Sequence, residues 1–362
     1  MKIKTITCHD VYNVGASLQA YALAQYLNSL GYETQIIDYK PDYLIHYKLT
    51  GVGNPKYNKP FLREAYQIAK LPGRIKARFS KRKKEFDKFT NSFLPVNEKR
   101  YSSNDELKAD PPEADVYIAG SDQIWNTFFK NGKDPAFYLD FVPKNKLKAS
   151  YAASFATNDV ANEWKPQIKE WLSRFDFISV REKSGEKIVK ALVGDKESVT
   201  VLDPVFLLSE NNWLSIEKNL FLKEQYILVY DFDNSQEVQD YVIREAKSNG
   251  LKIYSILPSK YADKCFSKEG PRSFLYLVRH AQLVVSNSFH ATAFSLIFKR
   301  PFTVFDRTEK INTRMHDLIE SVGLPDALNG NCVKPNDDTA RKLELQITVS
   351  KDYLNTVLEA VK

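Results

Sequence analysis

The loop from Asn287 to His290 carries the residue types best suited to acid–base and anion chemistry in this sequence. It follows the apolar run 283–286, a predicted strand, and it opens a predicted helix. The N–H groups at a helix start are unpaired and lie at the positive end of the helix dipole, so they attract anions. Asn287 and Ser288 add an amide and a hydroxyl, and His290 titrates near physiological pH. The alternative interpretation is that Asn287 or Ser288 only caps the helix and that His290 packs in a turn.

A second polar loop follows the apolar run 116–119. Gly120 permits close approach of the backbone to a ligand, although a plain turn with a cap also explains residues 120–122. The side chains beyond that turn are predicted to line a cleft, with Trp125 offering a flat face to a sugar. Asn13 and Gly15, in the turn after the first strand, are predicted to lie in the same cleft. The predicted cleft residues of the second loop are Gly120, Ser121, Asp122, Gln123, Trp125 and Asn126.

Two arginines are predicted to bind an anion. Arg181 comes directly after an apolar strand, and its planar guanidinium suits a carboxylate or a phosphate. The alternative for Arg181 is a salt bridge to Glu182 or Glu186. Arg314, beside Asn312 at another predicted helix start, is expected to reach the same anion.

Several familiar catalytic and metal-binding motifs are missing from the sequence. It has no GxxxxGK[ST] phosphate loop, no HExxH pair and no GxSxG elbow, and the first turn lacks the GxGxxG spacing. The five histidines are too dispersed for a zinc site, so we expect neither a metal nor a cofactor. Three distant cysteines without a CxxC pair favour a reducing compartment.

The elements that must position these loops alternate between strands and helices. A strand at 3–7, a helix at 17–30 and a strand at 34–39 form the first βαβ unit, and the pattern returns later in the chain. We predict an α/β protein with two Rossmann-like domains facing across a cleft, because ligands of such sheets bind at the carboxyl ends of the strands. The predicted boundaries are 1–208 for the N-terminal domain, 209–224 for a linker, 225–335 for the C-terminal domain and 336–362 for a helical tail that packs back.

The composition fits this organisation. A chain of 362 residues is long enough for two domains, and 43% hydrophobic with 27% charged residues excludes a largely disordered or fibrous protein. No apolar run forms a secretory signal or approaches the roughly 18 residues of a membrane span. We therefore expect a cytoplasmic protein.

Most of the excess positive charge lies in a predicted helical insertion at about 42–100. The window 74–88 has eight basic and two acidic residues, a net +6 of the whole chain's +7, so a uniformly basic nucleic-acid-binding protein is not indicated. One interpretation is a solvated helix face. The other is peripheral contact with anionic lipid at the inner face of the plasma membrane, since apolar side chains alternate with the charges. These are Ile75, Phe79, Phe86 and Phe89.

The order of several motifs resembles the polysaccharide pyruvyl transferase family over most of the chain. Ala291 stands where the family usually has glycine, and Ser288 stands where some members have arginine. The blocks that carry the resemblance are 13–22 (NVGASLQAYA) with 31–32, 119–126 (AGSDQIWN), 180–184 (VREKS), 202–204 (LDP), 285–294 (VSNSFHATAF), 312–314 (NTR) and 323–324.

This resemblance implies a fold similar to the two-domain GT-B glycosyltransferases. It also implies transfer of pyruvate from the co-substrate phosphoenolpyruvate to two hydroxyls of a sugar, which forms a cyclic ketal and releases phosphate. The implied acceptor is a bacterial surface-polysaccharide precursor, such as one for exopolysaccharide or capsule, carried on a membrane lipid. In that reaction His290 is expected to act as acid and base, and Arg181 to hold the anion. The helix start at 288–291 and Arg314 are expected to assist.

Two other functions remain open on the sequence. A nucleotide-sugar-dependent glycosyltransferase on the same scaffold would bind a nucleoside diphosphate near the His290 helix. A non-catalytic sugar- or anion-binding protein would bind its ligand without turnover, although binders outside the cytoplasm need an export signal. Stabilisation by phosphoenolpyruvate or by a nucleotide-sugar would separate the two enzymatic alternatives.

Overall fold

The computed structural model of the protein describes residues 1–47, 60–194, 196–309 and 311–361. Strands and helices alternate through most of this part of the chain. The strands are β1 (Lys2–Ile6), β2 (Glu33–Tyr39), β3 (Val96–Tyr101), β4 (Val116–Ala119), β5 (Leu147–Ser150), β6 (Ile178–Val180), β7 (Ser198–Thr200), β8 (Tyr226–Tyr230), β9 (Lys252–Ser255), β10 (Lys264–Cys265), β11 (Leu283–Ser286) and β12 (Phe302–Val304). The helices are α1 (Val14–Ser29), α2 (Pro60–Arg78), α3 (Lys81–Phe93), α4 (Asn104–Ala109), α5 (Lys165–Ser173), α6 (Lys183–Val193), α7 (Glu210–Ile216), α8 (Gln236–Asn249), α9 (Pro271–His280), α10 (Phe289–Ile297), α11 (Thr313–Ser321) and α12 (Asp337–Glu359).

Two parallel sheets share one strand order. The first runs β3-β2-β1-β4-β5 and the second runs β10-β9-β8-β11-β12, with every pair parallel. The short pair β6–β7 continues beside β5 through an isolated bridge between Ala149 and Phe177. Helices cover both faces of a parallel sheet, which explains why every residue of β4 and β8 is buried. In each sheet the strand order reverses around the central strand, where ligand crevices form in such folds.

The segment predicted as a helical insertion is not helical throughout. It contains α2 and α3, but Val96–Tyr101 forms the edge strand β3, paired in parallel with β2. Residues 48–59 of this segment lie outside the described residues. The apolar side of α3 explains its position, because Phe86 and Phe89 are buried in the core that also includes α1.

Two further segments tie the domains together. The weakly patterned stretch predicted as a linker contains α7, whose Ser209 cap forms a reciprocal capping box with Asn212. Trp213 on α7 is fully buried, with its ring centroid 4.9 Å from that of Phe294. The last helix, α12, packs against the first domain, where the hydroxyl of Ser350 accepts a hydrogen bond from the backbone N–H of Leu202 at 2.9 Å.

Candidate active site

A buried ionic cluster lies where strand ends of the first domain meet helix α10 of the second. Arg181 follows β6, Asp203 follows β7 and His290 stands in the first turn of α10. Nη1 of Arg181 donates to Oδ2 of Asp203 at 2.5 Å, and Nε2 of His290 lies 3.5 Å from the same oxygen. One carboxylate oxygen therefore joins an arginine and a histidine across the two domains.

The Arg181 guanidinium is buried but only half satisfied. Its side chain is 1% exposed, and its central carbon lies 4.8 Å from the centroid of the Phe289 ring. Nη1 bonds to Asp203, whereas Nε and Nη2 have no hydrogen-bond partner. These two atoms form one edge of the planar fork, the geometry that binds a carboxylate or phosphate with two parallel hydrogen bonds. The salt bridge to Glu182 or Glu186 considered from the sequence is not the one formed, because Arg181 pairs with Asp203.

The charges in this cluster stabilise one another. Burial acts to raise the pKa of Asp203, but the nearby His290 imidazole and the Arg181 guanidinium outweigh burial and hold that pKa well below its usual range. Burial acts to lower the pKa of Arg181, and the Asp203 and Asp122 carboxylates outweigh it, so the net shift is upward. Both side chains are therefore ionised at neutral pH.

The His290 ring packs directly against Gly15 at the start of helix α1. The Ser288 hydroxyl accepts from the backbone N–H of Ala291 at 3.4 Å and so begins α10. The imidazole then lies against Gly15, where an added Cβ would come within 2.0 Å of Nδ1. His290 is 9% exposed, and its Nε2 has no hydrogen-bond partner. Gly15 thus lets the first domain approach the ring closely.

Arg314, in the first turn of α11, adds a second buried cation near Phe289. Its guanidinium carbon lies 5.8 Å from the Phe289 ring centroid. The Gln123 amide oxygen, when turned toward Arg314, accepts from Nη1 at 3.1 Å and from Nη2 at 2.8 Å. Burial, helped by the positive charge of Arg181, lowers the pKa of Arg314 to about 10, so the side chain keeps its charge at neutral pH.

The two arginines border a cavity of about 330 Å³. Phe289 forms part of its wall and lies near both guanidinium groups, and the first residues of α6, α10 and α11 lie around the cavity. The N–H groups at these helix starts add positive potential to the arginine charges. The cavity is therefore suited to a small molecule with two anionic groups. Its lining residues are Arg181, Lys183, Thr200, Val201, Leu202, Asp203, Phe289, Arg314, Asp317, Leu318, Ser321, Gln346 and Val349.

Part of the 120–126 loop joins the cluster. The Ser121 hydroxyl donates to Oδ2 of Asp203 at 3.2 Å, and Oδ1 of Asp122 lies 3.6 Å from Nη2 of Arg181. Asp122 has φ 79°, a left-handed conformation that is uncommon for a residue other than glycine. Gly120 packs close to the side chain of Thr7, since an added Cβ would lie 3.2 Å from Thr7 Cβ.

The prediction that Trp125 offers a face to a sugar is wrong. Trp125 is fully buried, its ring is stacked on that of Tyr138, and its indole N–H donates to the Phe137 carbonyl at 3.0 Å. Its partners lie further along the chain, so the aromatic core that encloses it cannot be read from the loop alone. Asn126 is buried beside it, and its Oδ1 accepts from the backbone N–H of Phe128 at 3.0 Å.

Three asparagines near the predicted site hold backbone segments. Oδ1 of Asn287 accepts from the N–H of Phe232 at 2.9 Å. Oδ1 of Asn312 accepts from the N–H of Arg307 at 2.9 Å, and Asn13 caps α1. These side chains shape the loops around the cavity, and none of them lines its wall.

Sequence reasoning missed three residues of the cluster. Asp203 carried a signal, since an Asp-Pro pair directly follows a strand, but its partners are distant in sequence. Phe289 forms part of the apolar wall, with its ring centroid 4.8 Å from the guanidinium carbon of Arg181 and 5.8 Å from that of Arg314. Oε1 of Glu182 accepts from the N–H groups of Phe155 and Ala156, both at 2.9 Å, and burial raises the pKa of this carboxyl group.

The described residues show neither a metal-binding cluster nor a membrane-spanning helix. Over residues 1–47, 60–194, 196–309 and 311–361, no group of three or more His, Cys, Asp or Glu side chains is placed to hold a metal ion. None of the helices in the described part of the chain combines the length and apolar character of a membrane span.

Comparison with solved structures defines the class of fold. The chain is similar to a Listeria monocytogenes structure provisionally assigned as a UDP-N-acetylglucosamine 2-epimerase, with a TM-score of 0.54, 11% identity and coverage of 98% of this chain and 88% of that one. It is also similar to the Methanocaldococcus jannaschii UDP-GlcNAc 2-epimerase in complex with UDP-GlcNAc and UDP, with a TM-score of 0.50, 13% identity and coverage of 96% and 100%. The prediction of two Rossmann-like domains of the GT-B type is confirmed.

The family follows from the sequence rather than from these neighbours. The model of the polysaccharide pyruvyl transferase family matches residues 13–309. The chain therefore belongs to the polysaccharide pyruvyl transferase family, a family of transferases, as its motif order indicated. No curated protein matches the chain at a significant level.

Proposed function

We propose that the protein transfers pyruvate from phosphoenolpyruvate to two hydroxyls of a saccharide, forming a cyclic ketal and releasing phosphate. The observation that carries this proposal is the buried edge of Arg181 in the cavity wall, where Nε and Nη2 have no hydrogen-bond partner. Leaving a buried guanidinium N–H group without an acceptor costs about 1–3 kcal/mol, so this edge of Arg181 in a cavity wall favours an anionic ligand. Phosphoenolpyruvate carries a phosphate and a carboxylate on three carbons.

The two arginines would hold these two anionic groups. Asp203 accepts from Nη1 of Arg181, and Asp122 lies 3.6 Å from Nη2 without a hydrogen bond. Nε and Nη2 would therefore donate to the ligand in a bidentate contact. Arg314 presents a second charge to the same cavity, with its guanidinium carbon 5.8 Å from the Phe289 ring centroid. A donor held between two fixed cations has its central carbon positioned for attack, which lowers the entropic part of the barrier.

His290 would move the protons. In the imidazolium form it gives a proton to the methylene carbon, which becomes a methyl group, while the neighbouring carbon becomes electrophilic. Asp203, 3.5 Å from Nε2, stabilises the imidazolium. The first sugar hydroxyl adds to the electrophilic carbon, and the now neutral imidazole accepts the hydroxyl proton. General acid–base assistance of this kind contributes about 10²–10⁴-fold.

Loss of phosphate and ring closure complete the reaction. The bond between the central carbon and the phosphate oxygen breaks, and the phosphate leaves with the electron pair. The second sugar hydroxyl adds to the same carbon and releases its proton to the departing phosphate, which closes the ketal. Arg181 and Arg314 stabilise the negative charge that develops on the leaving group, and they act more strongly in a buried site than in water.

A substrate assay tests this proposal. The full chain is incubated with phosphoenolpyruvate and a panel of p-nitrophenyl monosaccharide glycosides, while released phosphate and product mass are measured. We expect phosphate release that depends on both substrates and a product with the mass gain of a pyruvate ketal. In a parallel arm, UDP-N-acetylglucosamine replaces phosphoenolpyruvate. Thermal stabilisation and turnover in that arm, without stabilisation by phosphoenolpyruvate, would contradict the proposal and favour a glycosyltransferase.

A further inference from the structure

Helix α2 exposes an apolar face. Ile68, Leu71 and Ile75 lie on α2 and Phe79 follows it directly, a spacing that places all four on one side of the helix. Ile68 is 72% exposed and Phe79 is 68% exposed, and none of residues 68–79 is buried. A helix on the surface of a globular protein normally turns such a face toward a core. Within the described residues, this face instead points to solvent.

Basic side chains flank the apolar face. Residues 65–84 contain eight Lys or Arg and neither Asp nor Glu. Lys76 and Arg78 fall at the two edges of the apolar face, and Lys84 is exposed on the following helix. For these three side chains, no ion-pair partner is found in the part of the chain that the structure describes. Lys81 and Lys83 of the same stretch pair with Glu269 and Asp87. The surface therefore joins exposed apolar area to the three basic side chains at its edges.

Helix α3 fixes this surface to the body of the protein. Phe86 and Phe89 are 2% and 1% exposed, so the prediction that they contact lipid is wrong. Arg82 donates to the carbonyl of Tyr12 in the first domain at 2.7 Å and to that of Ser267 in the second at 3.0 Å. The connection to both domains means that a partner bound to α2 would hold the active-site cleft in a fixed orientation.

We propose that residues 68–84 form a membrane-surface segment and that its partner is an anionic lipid bilayer. The apolar side chains would enter the boundary between headgroups and acyl chains, and the lysines and arginines at the edges would meet the anionic headgroups. A second copy of the chain fits less well, because a two-fold contact would place the same positive surface against itself. The inference is independent of the proposed reaction, since it uses no residue of the cavity.

Vesicle flotation with the full chain tests the lipid partner. The vesicles contain phosphatidylcholine alone or phosphatidylcholine with about one-third phosphatidylglycerol. We expect partitioning onto the anionic vesicles to be at least about tenfold stronger than onto the neutral ones, and to weaken at high salt. Equal partitioning onto both vesicle types, or no binding to either, would overturn the proposal.

Matched variants locate the contact. The triple variant Ile68→Ser, Ile75→Ser, Phe79→Ser and the charge variant Lys76→Gln, Arg78→Gln, Lys84→Gln are each expected to lose at least about tenfold in partitioning. The controls change exposed residues elsewhere: Phe221→Ser, Ile243→Ser and Leu345→Ser for the apolar set, and Lys169→Gln, Lys247→Gln and Lys260→Gln for the charge set.

Three readouts keep the result interpretable. The melting temperature of each variant is expected to match that of the unmodified protein, because every altered side chain is exposed. Vesicle binding that survives both α2 variants would overturn the proposal. Light scattering gives the mass in solution. A dimer that dissociates only in the apolar variant would show that the apolar face of α2 binds a second copy of the chain instead of lipid.

Discussion

Two cavities of this protein lie at the carboxyl ends of strands, and the charged side chains that line them are satisfied to different degrees. The first is the 330 Å³ cavity with Arg181 and Arg314. The second, of about 410 Å³, lies at the ends of β1, β2 and β3 under α3. There Nε of Arg100 donates to Oδ2 of Asp38 at 2.8 Å, and Lys40 bonds to Asp10. No lining residue of this second cavity has a buried side-chain polar atom without a partner in the described structure.

This difference indicates which of the two cavities is better suited to bind an anion. In the second cavity each positive charge is cancelled by a neighbouring carboxylate, so the cluster is satisfied without a ligand. In the wall of the first cavity, Nε and Nη2 of Arg181 have no hydrogen-bond partner although the side chain is buried. His290 is not part of that wall and lies beside it, with Nε2 3.5 Å from Asp203. Size and polarity alone would favour the second cavity as the anion site. The unsatisfied hydrogen-bond donors of Arg181 favour the first cavity instead.

The largest expected effect comes from His290→Ala. Loss of the proton donor should lower the rate of phosphate release from phosphoenolpyruvate by about 10²–10⁴-fold. The matched control is His280→Ala at the end of α9, which stacks on Tyr276 away from the cavity and should leave the rate unchanged. Full activity of His290→Ala would show that His290 is not the proton donor. It would also remove one reason to place the reaction at the first cavity.

Asp203→Asn should reduce stability by about 3–5 kcal/mol, because it removes the carboxylate that is hydrogen-bonded to the buried Arg181 charge and leaves only Asp122, at 3.6 Å. The folded-state pKa of Asp203 is depressed, so its ionised form contributes stability that is fully present above the unfolded pKa of about 3.9 and is lost as pH falls below it. Urea unfolding should therefore show a wide gap between the two proteins at pH 7 that narrows below about pH 4. A gap that stays constant down to pH 3 would show that Asp203 is not the charged partner.

Gly15→Ala should disturb the first cavity by sterics alone. The new methyl group would overlap the His290 ring, which must move, and such overpacking costs about 1–3 kcal/mol. We expect a lower melting temperature and a larger loss in kcat than in phosphoenolpyruvate binding. Gly73→Ala is the matched control, since no atom lies within 4 Å of its added Cβ. Equal behaviour of the two variants would show that the ring does not depend on Gly15.

Arg100→Gln should have the smallest effect. Its side chain is 61% exposed, and an ion pair of that kind contributes about 0–1 kcal/mol. Stability is expected to fall by no more than that amount, with phosphoenolpyruvate binding unchanged. Weakened binding would indicate that the second cavity, and not the first, holds the donor.

Local pattern predicted much of the fold and less of the site. The strands 116–119 and 283–286 were predicted with the bounds that β4 and β11 have, because short apolar runs between turns are visible in the sequence. Strand β3 was missed because only two of its six residues are buried, so it carries no apolar run. The sequence also did not predict which charged side chains pair with one another. Arg181 and His290 are far apart in sequence, and both contact Asp203 only in the folded structure.

Trp125 is a residue whose burial could not be predicted from the sequence. A single tryptophan after a polar turn fits a sugar platform and a core position equally well, and only its distant partners decide between them. Those partners, Tyr138 and Phe175, lie 5.5 and 5.6 Å away between ring centroids. A residue's type therefore predicted the chemistry available to it, whereas its tertiary contacts determined whether that chemistry is exposed.

Calorimetric titration of phosphoenolpyruvate into Arg181→Lys shows whether the guanidinium edge binds the donor. A lysine retains the positive charge opposite Asp203 but lacks the second edge of the guanidinium fork. We predict one binding site in the unmodified protein, an affinity at least about tenfold weaker in Arg181→Lys, and no change in the matched variant Arg100→Lys. Equal affinity in the unmodified protein and in a folded Arg181→Lys would contradict the account.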